Sequence, residues 1–133
     1  MANEELKELE QILNLRYAQY LSNRFFEISS NVDGIGLVQV KVLLQNTEQS
    51  FYYPIEARLD SKDQNISPEQ ATLVMIDYID YYFAEYFKED ENVLIPIDWS
   101  EFALDGVKFQ MRGEIRNLRY ELAADEILAR GGV

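Results

Sequence analysis

Phe102-Ala103-Leu104-Asp105-Gly106-Val107-Lys108-Phe109-Gln110-Met111-Arg112 is the stretch whose reading decides the fold class. Asp-Gly tolerates the two positive φ angles of a tight type I′ turn, so it signals a hairpin. Beyond the turn, Val107, Phe109, Met111, Gly113 and Ile115 alternate with Lys108, Gln110, Arg112, Glu114 and Arg116. A period of two with one apolar side predicts a strand over 107–116 with one buried and one wet face.

The same alternation recurs upstream. Phe51, Tyr53, Ile55, Ala57 and Leu59 alternate with Tyr52, Pro54, Glu56 and Arg58, which predicts a strand over 51–59. Val38, Val40, Val42 and Leu44 share one side of a strand over 35–45. Val93 to about Leu104 reads as extended but irregular, interrupted by Pro96.

Three segments carry helical spacing instead. Leu6, Leu9, Leu13, Tyr17, Tyr20, Leu21 and Ile28 lie on one stripe, which predicts a helix over 3–30 closed by the turn residues Asn31-Val32-Asp33-Gly34. Ser67-Pro68-Glu69-Gln70 is a helix start, with a hydroxyl cap and proline at the first position. The helix after it, over 68–89, has a broad apolar arc of Ala71, Met75, Ile76, Ile79, Tyr82, Phe83, Tyr86 and Phe87. A last helix over 118–130 is expected to stop at Gly131-Gly132.

The order α-β-β-α-β-β-α predicts a single α+β domain over 1–133, with a four-stranded antiparallel sheet packed with helices. Proline cannot donate to a ladder, so Pro54 and Pro96 are expected at the rims. That gives the strand order 2-1-4-3.

Composition removes much chemistry. The 133 residues include no histidine and no cysteine. Imidazole proton transfer and thiolate chemistry are therefore excluded, as are sulfur ligands for zinc. No metal or cofactor is expected. The net charge of −12 argues against nucleic acid and anionic membrane surfaces as partners. The N-terminus is acidic and lacks the apolar region of a signal peptide, and no apolar run approaches a membrane span. A cytoplasmic location is expected.

Charge is also uneven. Residues 60–101 hold eleven acids and two bases, whereas 105–133 hold five of each. On the wet side of the predicted sheet the balance inverts, because Lys41, Arg58, Lys108, Arg112 and Arg116 point outward with Glu56 and Glu114. Such a face could dock a carboxylate or phosphate through guanidinium forks. It is equally the ordinary solvated side of an antiparallel strand.

Asp77, Asp80 and Tyr81 fall within one helical turn and could do acid–base work if buried, but match no catalytic signature. Leu73, Val74, Tyr78 and Tyr81 make the second helix apolar on more than half its circumference, and with Trp99 they are the candidate interface residues.

The element order, small size and acidity resemble the small dimeric chaperones of bacterial secretion systems, which hold an unfolded client on their surface. The likeness is one of layout, with one strand of that family's pattern missing. It implies a homodimer with a protein client. The reading that follows, from the resemblance and from the broad apolar circumference of the second helix, is a non-enzymatic protein-binding module, chaperone-like or adaptor, acting as a homodimer. The alternative is a small enzyme or binder of an anionic ligand, using Arg112 and Arg116 on the sheet face.

Overall fold

The computed structural model describes residues 3–118. The expected helix over 118–130 lies outside the described residues, Leu118 apart. The chain forms α1 (Asn3–Arg16), α2 (Ala18–Leu21), β1 (Arg24–Val32), β2 (Leu37–Asn46) and β3 (Phe51–Asp60). These are followed by α3 (Pro68–Lys88), β4 (Ser100–Leu104), β5 (Val107–Gly113) and β6 (Arg116–Asn117). The fold is α+β with an antiparallel sheet, as the alternation implied.

The sheet is wider than four strands. Its order is β1-β2-β3-β5-β4, with the short β6 pairing β3 beyond the end of β5. The extra strand comes from the expected first helix, which stops at Arg16 and, after α2, gives way to β1. Ser22 turns the chain there with a φ of 56°. Ile28, which fitted the helical stripe, instead alternates with Phe26, and both are buried. The Asp33 turn joins β1 to β2 rather than closing a helix. Asp33 Oδ1 accepts from the N–H of Ile35 at 3.0 Å and of Leu37 at 2.9 Å.

The expected order 2-1-4-3 is also corrected, because the strand that carries Pro54 is central. Pro54 pairs with Leu43 of β2. On its other side the ladder lapses: pairing with β5 ends at Ile55↔Gly113 and resumes with β6 at Tyr52↔Arg116. A missing N–H is tolerated at such a gap as well as at a rim. Pro96 precedes β4, in an extended segment that is not part of the ladder.

Asp105-Gly106 forms the expected turn, with φ of 52° and 79°. Val38, Val40, Val42 and Leu44 meet Tyr53, Ile55, Ala57 and Leu59 on one sheet face, all buried. Every residue of the expected α3 arc is buried against them. Ser67 caps α3, its Oγ accepting from the Gln70 N–H at 3.1 Å. The Phe26 and Phe83 rings meet edge to face at 4.8 Å between centroids.

α3 lies over β2 and β3, and α1 lies against β1. On the β5–β4 side of this face, Tyr78 of α3 packs against Phe102 and Phe109.

Candidate functional site

The outer face of the sheet carries the expected cations. Lys41 stands beside Glu56 and Glu56 beside Arg112, so the three form a row across β2, β3 and β5. Arg112 donates to Glu56 Oε2 at 3.3 Å and Arg58 Nε to Gln110 Oε1 at 2.8 Å. Their guanidinium carbons lie 4.0 Å (Arg58) and 4.5 Å (Arg112) from the Trp99 ring centroid. A cation over an indole is attracted by the ring quadrupole, so both guanidinium groups are already engaged. Lys108 is exposed on β5, and Arg116 stands on β6 opposite Tyr52. A shallow cavity of about 250 Å³ opens here beside Ser29, Gln39, Lys41, Glu56 and Trp99.

The expected interface residues separate. Trp99 belongs to this outer face. Val74 is buried in the core and Leu73 is half-buried. Tyr78 packs edge-on against Phe102 and Phe109, at 5.3 Å from each. Tyr81 is 66% exposed. Tyr78 and Tyr81 alone of the five line an apolar groove of about 390 Å³ between α3, residues 93–96 and β4.

The rest of that groove comes from residues the sequence did not mark as interface candidates: Tyr82, Val93, Leu94, Pro96, Phe102 and Leu104 among them. The available signal was Val93-Leu94-Ile95-Pro96-Ile97, an apolar run with no polar alternation. Its backbone is pinned to the core. Tyr82 Oη donates to the Val93 carbonyl at 2.7 Å. The Ile95 N–H donates to Tyr53 Oη at 3.2 Å, and the Gly113 N–H to the Pro96 carbonyl at 3.0 Å. With Val93, Ile95 and Pro96 tied inward, Leu94 is held outward at 58% exposure.

The two hydroxyls are themselves bonded, Tyr53 Oη to Tyr82 Oη at 2.5 Å. Tyr82 gives its proton to Val93, so Tyr53 is the donor between them. Burial pushes both phenols above their ordinary pKa, as it does Tyr86 with the Glu91 carboxylate beside it. These hydroxyls stay protonated at neutral pH and act as structural donors.

Asp80 is held by the end of α1 and the residue after it: Arg16 Nη1 pairs with it and Tyr17 Oη donates to Oδ1 at 2.6 Å. Asp77 and Tyr81 stand near it along a second cavity. Desolvation raises the Asp77 pKa, although the Arg16 charge opposes the shift. The arrangement clamps α1 to α3 rather than presenting paired acids to a substrate.

Among the described residues, no cluster of three or more carboxylates is placed to hold a metal, and no helix is long and apolar enough to cross a membrane. Compared with known proteins, the chain matches no family model, no curated protein and no solved structure.

Proposed function

We propose that the chain is a non-enzymatic protein-binding module, chaperone-like or adaptor in character, that takes an apolar stretch of a partner polypeptide into the groove beside α3. The observation that carries this reading is Leu94, held in water by backbone bonds on both sides and set beside exposed Tyr81. Exposed apolar area clustered in a groove marks an interaction surface far better than scattered exposure does. Glu85 is the one charged side chain among the described residues of the lining, and no acid–base pair converges there.

A second copy of the chain is the competing occupant, as the homodimer expected from the sequence requires. A net charge of −12 on each copy opposes self-association, which favours a foreign partner. The test is anisotropy of labelled, reduced and alkylated ribonuclease, an unfolded client, titrated with the full chain, alongside light scattering. Saturable binding by a monomer, abolished by Leu94→Asp, is expected. Binding indifferent to that substitution, or none, overturns the groove as the client site. A dimer that Leu94→Asp dissolves identifies the second copy as its occupant.

A further inference from the structure

The two rims of the sheet are treated differently. At β1 the middle of the outward edge is occupied by α1: Asn14 bonds both the N–H and the carbonyl of Phe26, and Glu10 takes the Ile28 N–H at 3.0 Å. At β4 no described residue plays that part. The two-residue turn makes Leu104 and Val107 a hydrogen-bonded pair, and bonding alternates along an antiparallel ladder. Leu104, Phe102 and Ser100 therefore bond inward to β5. The N–H and carbonyl groups of Glu101 and Ala103 face away from the sheet, and both residues are exposed.

The groove lies directly under this rim, since Phe102 and Leu104 form its sheet-side wall. Its borders are acidic. From residue 89 to 105 there are six carboxylates and no base, and of these Glu91 is paired with Arg24 at 2.6 Å. Glu85 faces the groove from α3, Glu101 stands on β4 itself, and Asp98 and Asp105 flank the strand. Lys108 stands opposite Ala103 on β5, and Gln110, not a base, stands opposite Glu101.

We propose, building on the docking reading above, that the β4 rim takes an extended partner segment as an added strand, with alternate apolar side chains in the groove and lysine or arginine between them. Strand addition supplies main-chain bonds for affinity, and the period of two sends every second side chain to one face. Apolar residues of the incoming segment meet Tyr78, Tyr81, Leu94 and Leu104. The residues between them emerge beside Glu101, where a cation is favoured. A second copy of β4 would bring Glu101 of its own, so the same carboxylate that attracts a basic segment discourages self-pairing.

The probe is a fluorescein-labelled peptide of alternating lysine and valine, Lys at both ends, titrated with the full chain. Three comparison peptides accompany it: one with Glu for every Lys, and two carrying N-methyl groups on alternate residues. The lysine peptide should bind roughly tenfold or more tightly than the glutamate peptide, a gap that shrinks with salt. Glu101→Lys should narrow or reverse it. One N-methylated peptide should lose binding while the other keeps it, because only one set of N–H groups faces β4. Equal affinity for the lysine and glutamate peptides overturns the charge assignment, and binding by both N-methylated peptides overturns strand addition. Absence of peptide binding while unfolded ribonuclease still binds in a Leu94-dependent way overturns this inference and leaves the docking reading standing.

Discussion

The carboxamide of Asn14 lies along the backbone of Phe26, accepting its N–H at 2.7 Å and donating to its carbonyl at 3.2 Å. A primary amide can do both at once, as a peptide unit of a neighbouring strand does. One turn earlier, Glu10 extends the pattern to Ile28. α1 therefore serves the outer side of β1 as a surrogate strand. Asn14→Ala should lower the unfolding free energy by about 1–3 kcal/mol, read from urea midpoints. Asn14→Asp keeps the acceptor but turns a second oxygen on the Phe26 carbonyl, so it should not restore the loss. Amide exchange at Phe26 should quicken in the alanine variant; unchanged protection there would show that the carboxamide is dispensable.

The path Ile95 N–H to Tyr53, Tyr53 to Tyr82, and Tyr82 to the Val93 carbonyl is one connected network. Tyr82→Phe leaves a buried donor and a carbonyl without their partner. It should cost about 1–3 kcal/mol, as should Tyr53→Phe. The double variant should cost less than the sum of the two, because the bond between the rings is lost only once. Strict additivity in denaturant unfolding would refute the network.

Tyr17, Tyr53, Tyr82 and Tyr86 are all raised above the ordinary tyrosine range, with burial the largest cause in each. The unfolded chain releases these protons near pH 10, and the folded chain holds them longer. Their contribution is therefore complete below about pH 10 and is lost as pH rises through the folded values. Urea midpoints should hold from about pH 8 to 10 and fall steeply above that range. Tyr82→Phe should flatten the fall.

A methyl group added at Gly113 would lie 3.1 Å from Tyr53 Cε1 and 3.2 Å from Ile95 Cβ. Both neighbours are fixed by the network just described, so neither can yield cheaply. Gly113→Ala should destabilise by about 1–3 kcal/mol through overpacking. Proteolysis within Val93–Ile97 should become faster in this variant as the strap loosens.

Trp99 is the chain's one tryptophan, and it is half-buried with two guanidinium groups against its ring. Its fluorescence therefore reports the outer sheet face alone. Arg58→Ala and Arg112→Ala should each shift the emission to the red as water reaches the ring. Stability should change by less than about 1 kcal/mol, as for exposed cation–π contacts. A large loss of stability with unchanged emission would contradict this geometry.

The parts of the fold legible in the sequence are those where one physical signal acts alone. The Asp105-Gly106 turn needs two positive φ angles, and few dipeptides tolerate them. The α3 arc is buried residue for residue because helical period and burial coincide along it. Val38 to Leu44 and Tyr53 to Leu59 likewise alternate without competition. β1 was hidden because Tyr20, Leu21 and Ile28 fit a helical stripe by accident of spacing. The break at Ser22 depends on a backbone angle that side-chain patterning does not show. Pro54 misled because a lapse in a central ladder accommodates proline as well as a rim does. The outer-face cations were legible from alternation, but their stacking on Trp99 depends on how the chain doubles back before β4. Leu94 was missed for a related reason, since its exposure follows from hydroxyls forty or so residues away in β3 and nearby in α3.

Asn14 and Glu10 also limit growth along part of β1. An incoming strand would find Phe26 and the Ile28 N–H already taken. Among the described residues β4 offers no such obstacle, so a newcomer there that is a second molecule would carry a partly blocked margin of its own. The N-terminal helix thus works against endless ribbon formation.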